Sequence, residues 1–395
     1  MTEQIRTRVA IVGAGPAGLA LSALLHRSGI DSIVIDPRTR EDIERTIKAG
    51  ILEQSSVELL RSLGGSRVDE VGARHDGIEL RWNGVGHRID FQGLVGRSVW
   101  LYPQHEALID LIALRLGEGG DVRFGVGATS VEGVDTDAPV VHAAGPDGRP
   151  IEIRADVVVG ADGSRSLVRE AVTGSQTGGY FREYPFAWFG ILCEAPPSSP
   201  ELIYSTTERG FALISQRSAT VQRMYLQCDP ELDPDAMGER EIWDELQART
   251  GGGLHEGPIF QRDVLRFRSF VAHELRRGRA LLVGDAAHTV PPTGAKGMNL
   301  ALADVVLLHR AIEELVRSGS EHGLDAYPEA ASRRIWKAEH FSWWMTSMLH
   351  TAPGANDFDE RRRLGELEMV ATSRHGAAYL AEAYTGWPFE TRPRG

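Results

Sequence analysis

The chain reads as an α/β protein in three parts: a strand–helix–strand unit, a mostly antiparallel β-sheet, and a helical C-terminal part. Three observations predict this. A strand, glycine turn, helix and second strand occupy residues 9–36. Alternating apolar and polar positions dominate residues 176–275. A second strand-to-helix loop at 280–308 then leads into a helical remainder. The expected boundaries are 1–175, with a hairpin excursion at 73–97, then 176–275 and 276–395.

Val9-Ala10-Ile11-Val12 is a short buried strand, followed at once by Gly13-Ala14-Gly15-Pro16-Ala17-Gly18. A helix is predicted from about Pro16 to Ser28, stopped by Gly29, and the next strand, Ser32-Ile33-Val34-Ile35, closes on Asp36. This is a Rossmann-like fingerprint in its full context. Gly13 and Gly15 allow a tight turn and close backbone approach, and Gly18 allows helix–strand packing. The helix start faces a pyrophosphate, and Asp36 is placed for a ribose hydroxyl.

From Arg74 the pattern changes. Residues 77–82 alternate apolar with charged side chains, Asn83-Gly84 is a type I′ turn, and residues 85–91 return, which predicts an antiparallel hairpin outside the parallel sheet. A helix pattern resumes at residues 105–112. Two strands flank Gly145-Pro146-Asp147-Gly148, and the second runs through Val157-Val158-Val159 into Gly160-Ala161-Asp162-Gly163, a strand end where α/β sheets place ligands.

Within 176–275, strands are predicted at 188–192, 201–204, 211–217 and 223–228. Period two puts Ser215 and Arg217 on one face of their strand, and Arg223 and Tyr225 on one face of the next. Two readings stand: a solvated sheet face, or a patch of two guanidinium groups, a hydroxyl and a phenol that suits a carboxylate.

Ala280-Leu281-Leu282-Val283 reads as a buried strand and residues 300–308 as a buried helix. Between them, Gly284-Asp285 supplies an acceptor, Pro291-Pro292 a rigid turn, and Gly297-Met298-Asn299 an open helix start that favours an anion. An ordinary strand–loop–helix connection remains the plain alternative. Residues 333–350 carry Phe341, Trp343, Trp344, Met345 and Leu349, an apolar content suited to packing between domains or subunits.

Composition narrows the function. A net charge of −12 argues against nucleic acid, so an anionic ligand needs a local basic pocket. Cys193 and Cys228 are in no metal-ligand spacing, and no metal is expected. The first residues carry no signal-peptide pattern, and glycines and a proline interrupt residues 9–25; no membrane span and a cytoplasmic location are expected.

The glycine fingerprint, Asp162-Gly163 and Gly284-Asp285 together resemble the single-component flavoprotein aromatic hydroxylases, whose FAD-binding domain is discontinuous. The likeness is strongest to members acting on 4-hydroxybenzoate, through residues 49–54, 184–188, 201–204, 209–213, 215–220, 291–299 and 334–339. The resemblance implies bound FAD, NADH or NADPH as electron donor, O2, a small aromatic acid as substrate, and a homodimer. It implies 3-hydroxylation of 4-hydroxybenzoate, with another para-substituted benzoate such as 4-aminobenzoate, or a flavin-binding redox sensor, as alternatives.

The same resemblance assigns residues. Ser215, Arg217 and Tyr225 take the substrate carboxylate, with Gln216 and Thr293 alongside. Tyr204 takes the substrate phenol together with the carbonyl of Pro292, and Tyr384 extends that line toward His75. Taken alone, Tyr204 and Tyr384 read as packed aromatics and His75 as a loop histidine. FAD falls to Gly13, Gly15, Gly18, Asp36, Lys48, Ala49, Gly50, Gln104, Asp162, Asp285, Gly297, Met298 and Asn299, with Arg223 linked to flavin movement. Arg38, Arg165, Arg169 and Arg268 are candidates for the nicotinamide nucleotide. The pattern departs at Thr46 and Lys48, where the family usually carries arginines, and at Ser164-Arg165, which replace an aromatic–histidine pair. Glu41, Asp42 and Glu44 stand beside Arg38 and Arg40 and should repel a 2′-phosphate, so NADH is expected to serve at least as well as NADPH.

Overall fold

The computed structural model describes residues 2–389 except 47–49, 66 and 83, so Lys48, Ala49 and the Asn83 position of the hairpin turn lie outside the described residues. The strands Ala280–Leu282, Pro150–Gly160, Glu3–Val12, Ser32–Asp36 and Asp121–Phe124 lie side by side in parallel, with a short antiparallel edge at Arg276–Arg277. Strands fully covered on both faces read as continuous apolar runs, and Val9 to Val12 and Val157 to Val159 are buried accordingly. The helices Pro16–Arg27 and Gly297–Ser318 pack on this sheet through a common core.

A second sheet of eight strands runs in the order His288–Thr289, Ile259–Ala272, Gly179–Glu194, Val221–Cys228, Gly210–Gln216, Ile203–Thr207, Gly77–Trp82, Val85–Asp90. All its neighbours are antiparallel except Ile203–Thr207 with Gly77–Trp82. The hairpin expected at 77–91 therefore forms, and it extends this sheet rather than the parallel one. One face packs on the helices His322–Leu349 and Arg374–Thr385, and the other on the helix Glu239–Thr250. Ile242, Trp243 and Leu246 are the buried stripe of that last helix, which the strand reading of 176–275 passes over. The strand Ile259–Ala272 was also absent from the sequence reading, because charged residues occupy both of its faces over 261–268.

The two sheets meet at the loop that follows Ala280–Leu282. Gly284–Ala286 forms a 3₁₀ turn, and His288–Thr289 already pairs with Val271 and Phe270 of the second sheet. Carboxyl ends of parallel strands thus open directly onto one face of the antiparallel sheet, the crevice in which α/β folds bind ligands. No described helix is long and apolar enough to cross a membrane. Phe341, Met345 and Leu349 are buried within the chain, whereas Trp343 is exposed, so most of the apolar stretch at 333–350 packs internally.

Candidate active site

A single cavity of about 770 Å³ runs from Asp36 and Arg38, past Gly13, Gly15 and Asp285, to Tyr204, Ser215, Arg217 and Tyr225. The parallel sheet builds the first end. Gly13 has φ +112, and a Cβ there would lie 2.2 Å from the carbonyl oxygen of Ala161. A Cβ on Gly18 would lie 2.0 Å from the carbonyl oxygen of Gly13. Both glycines are thus required by backbone contact. The helix Pro16–Arg27 has Gly15 as N-cap and no side chain on its first N–H groups. The helix Gly297–Ser318 opens on the same cavity, likewise uncapped. Two helix ends with free donors form a cradle for anionic groups. Gly13→Ala should cost roughly 1–3 kcal/mol through backbone displacement; the expected result is a lower melting temperature and, for the flavin that the sequence resemblance implies, its loss on purification, read by absorbance.

Asp36 is buried and fully engaged: it accepts from the Ala14 N–H at 2.9 Å and from the backbone and guanidinium of Arg38. Asp285 differs. Its carboxylate is exposed at the cavity wall and accepts no hydrogen bond from the described residues. The Asp162 carboxylate caps the helix Leu167–Thr173 through Ser166, Leu167 and Val168. Asn299 accepts the Glu53 N–H and donates to the carbonyls of Ile51 and Ala295, tying the helix start to the strand Ile51–Glu53. Met298, Gly50 and Gln104 line the cavity. Of the arginines expected at a nicotinamide nucleotide, Arg165 is exposed at the cavity and Arg268 donates to Ser164. Arg169 is buried, donates to the carbonyls of Ser164, Gln176 and Ala286, and stacks on Phe270. Its guanidinium holds the Asp285 loop in place.

The antiparallel sheet builds the other end. Ser215 pairs with Arg223 and Leu213 with Tyr225, so facing residues share a face. Of the two readings left by periodicity, the solvated face is excluded: Ser215, Arg223 and Tyr225 are buried, and Ser215, Arg217 and Tyr225 line the cavity. Arg217 donates to Ser215 Oγ at 3.3 Å and to the Gln216 carbonyl at 3.1 Å. Burial holds its pKa below the ordinary value, with Tyr225 opposing. Arg223 is clamped on both oxygens of Asp263 at 2.6 Å and stacks on Tyr225.

Tyr204 and Tyr384, each only 1 % exposed, stand with their hydroxyls 2.6 Å apart. Tyr204 also donates to the Thr293 carbonyl at 3.3 Å. The Pro292 carbonyl accepts the Ala295 N–H, and Pro292 itself lines the cavity. His75 is buried, with Nε2 at 3.4 Å from Gln216 Nε2 and no direct bond to Tyr384. Burial lowers its pKa below the ordinary imidazole value.

Lys296 and Glu53 were not singled out from the sequence. Lys296 is buried at the cavity wall, donating to Glu53 at 2.6 Å and to the Tyr384 carbonyl at 3.0 Å. They lie 243 positions apart, and the only signal was a lysine inside a glycine-rich helix start.

The family described as the FAD binding domain matches residues 6–342. The chain belongs to it. A p-hydroxybenzoate hydroxylase of Acinetobacter baylyi is 38% identical over 99% of this chain and 98% of its own length. A 6-methylpretetramide 4-monooxygenase of Streptomyces rimosus is 31% identical over 83% of this chain and 80% of its own. The fold is also that of a p-nitrophenol 4-monooxygenase from Pseudomonas putida, with a TM-score of 0.80 at 19% identity over 98% of this chain and 99% of that one. This flavoprotein is an FAD-dependent aromatic hydroxylase. Its cavity suits the cofactor on its own evidence, through the Gly13 contact, two open helix ends and the unengaged Asp285.

Proposed function

We propose that this enzyme hydroxylates 4-hydroxybenzoate at the 3-position to give 3,4-dihydroxybenzoate, with FAD bound, NADH or NADPH as reductant and O2 as oxygen source. One observation carries this reading: a single cavity is lined by a guanidinium–hydroxyl–phenol cluster, Arg217, Ser215 and Tyr225, and by Tyr204, whose hydroxyl is hydrogen-bonded to that of the buried Tyr384. The relative named p-hydroxybenzoate hydroxylase supports it. FAD, when bound, would carry the electrons of the nicotinamide nucleotide and supply the activation of oxygen. Gly13, Gly15 and Gly50 would admit it closely, Asp285 would take its ribityl hydroxyls, and the helix start at Gly297 would face the reduced, anionic ring. In the same proposal, residues 1–175, apart from the hairpin excursion at 73–97, and the Gly-Asp segment of 276–395 form the FAD side, and 176–275 with that hairpin the substrate side.

The side chains then divide the work. Arg217, Ser215 and Tyr225 grip the carboxylate, a match of planar fork to planar anion. The substrate ring lies against Trp188, Leu202 and Leu213, which also keep water out. Tyr204 meets the phenol oxygen at the far end. Electron donation to the ortho carbon requires phenolate character, and a phenol has an unperturbed pKa of about 10. Burial raises both Tyr204 and Tyr384 above their ordinary values, so they remain protonated donors to a forming phenolate. The released proton is assigned to the line from Tyr204 through Tyr384 toward His75. Fixing both ends of the ring makes attack effectively unimolecular.

Anaerobic reduction of the bound flavin by NADH, with and without 4-hydroxybenzoate, tests the reading. A many-fold acceleration by substrate, and 3,4-dihydroxybenzoate as aerobic product, are expected; substrate-independent reduction would identify a reductase or sensor. The donor can also be named. Arg38 pairs with Asp36, Arg40 with Glu44 and Arg45 with Glu41, while Asp42 caps its helix on Thr39. Each of these arginines is already matched by an acid, which leaves no cationic surplus for a 2′-phosphate among the described residues of 36–46. NADH should therefore give a kcat/KM at least equal to that of NADPH, and a strong NADPH preference would refute this. A cytoplasmic homodimer, associating through the exposed Trp336, Trp343 and Tyr379, completes the proposal.

A further inference from the structure

We infer that His350 is a positioning residue for the aromatic substrate, fixing the indole of Trp188 as the wall against which the ring is held. The inference rests on the benzoate reading of the cavity. Trp188 lines the cavity and its ring lies 4.8 Å from that of Tyr225. The indole nitrogen can only donate, and Nε1 lies 2.7 Å from His350 Nε2, so that imidazole nitrogen is the acceptor. The proton therefore sits on Nδ1, which donates to the Thr346 carbonyl at 2.9 Å. Both ring nitrogens are committed, and one neutral tautomer alone satisfies them. A protonated His350 would set one N–H against another. Burial enforces this, holding its pKa down to about 3.

The imidazole is also gripped as a ring. It stacks on Phe186 with centroids 4.6 Å apart and planes 3° from parallel, and it sits 4.3 Å from Phe211. The contact continues toward the other end of the site. The Thr346 and Thr293 hydroxyls are 2.8 Å apart, and the Thr293 carbonyl receives Tyr204. One buried chain of bonds thus joins the indole wall to the tyrosine pair, through the last turn of the helix His322–Leu349 and its cap. A ring held by this chain keeps one orientation relative to both Tyr225 and Tyr204.

Two variants of the holoenzyme separate the hydrogen bonds from the stacking. His350→Gln supplies an amide oxygen for the indole N–H and an amide N–H for Thr346, but no aromatic ring. His350→Phe keeps the ring and removes both bonds, leaving a buried N–H without an acceptor. The readouts are 4-hydroxybenzoate affinity by flavin absorbance, product formed per NADH consumed, and FAD content. His350→Phe is expected to weaken 4-hydroxybenzoate binding about tenfold or more and to divert NADH into hydrogen peroxide, with FAD content unchanged. His350→Gln is expected to stay within about threefold of wild type, a loss of well under one hydrogen bond. Equal impairment of the two variants, or wild-type binding and coupling in His350→Phe, overturns the inference. If His350→Phe does not accumulate, Trp188→Phe/His350→Phe, which removes donor and acceptor together, is read instead; there, wild-type affinity overturns the inference and weakened affinity with FAD retained supports it. Failure of the benzoate reading is distinct: wild type itself would then not bind 4-hydroxybenzoate.

Discussion

Arg217→Ala will weaken 4-hydroxybenzoate binding by roughly 30- to 5000-fold while FAD stays bound, because truncating one member of a desolvated charge pair costs about 2–5 kcal/mol. The local structure sets the size of the effect. Arg217 stands just beyond the strand Gly210–Gln216, and its Nη1 is oriented by Ser215 and by the Gln216 carbonyl. No acidic side chain of the described residues pairs with it; Arg223, its neighbour on the sheet, is committed to Asp263. Burial already lowers the Arg217 pKa, the sign of a cation short of compensation that an incoming carboxylate would supply. Arg217→Lys should fall between, since the charge survives and the fork geometry does not. Titration of the flavin absorbance with 4-hydroxybenzoate, beside FAD content, checks both. Unchanged affinity in Arg217→Ala would remove the carboxylate clamp.

What could be read in the sequence followed from local periodicity. The spacing of Ser215, Arg217, Arg223 and Tyr225 specifies a shared face once the turn between their strands is short, and the register Ser215 opposite Arg223 realises it. The glycine fingerprint was legible for a similar reason, since Gly13 and Gly18 each answer a contact within their own β–α unit or the next parallel strand. Long-range pairings carried no such signal. Lys296 with Glu53, Arg223 with Asp263 and Trp188 with His350 join residues 243, 40 and 162 positions apart. Nothing in the period of either segment announces them. The helix Glu239–Thr250 was hidden differently: its buried apolar stripe holds only Ile242, Trp243 and Leu246, too few to outweigh strands on both sides. Asp162 and Asn299 show a third limit. Their sequence context marks a ligand loop, yet their side chains cap one helix and anchor another, and of the two only Asp162 lines the cavity.

Tyr204→Phe should lower the hydroxylation rate by about 10²- to 10⁴-fold, the usual worth of a positioned proton-transfer group, with FAD binding unaltered. The removed oxygen sits at a junction: 2.6 Å from Tyr384 and 3.3 Å from the Thr293 carbonyl, with both tyrosines buried. Because burial pushes Tyr204 and Tyr384 upward, neither competes with the substrate for the negative charge, and the proton that moves is the substrate's own. Phenylalanine preserves the packing of Tyr204 against Phe211 and the carboxylate clamp at the opposite end. Benzoate affinity should therefore change by only the worth of one hydrogen bond, about 1 kcal/mol, while the phenol loses its donor and keeps its proton. NADH oxidation should continue, with hydrogen peroxide in place of the hydroxylated ring. Tyr384→Phe removes the next group in line but leaves Tyr204 on the substrate, so its loss should be smaller. Product per NADH, measured for both variants beside peroxide, separates the two roles; wild-type coupling in Tyr204→Phe would move the activation of the ring to another group.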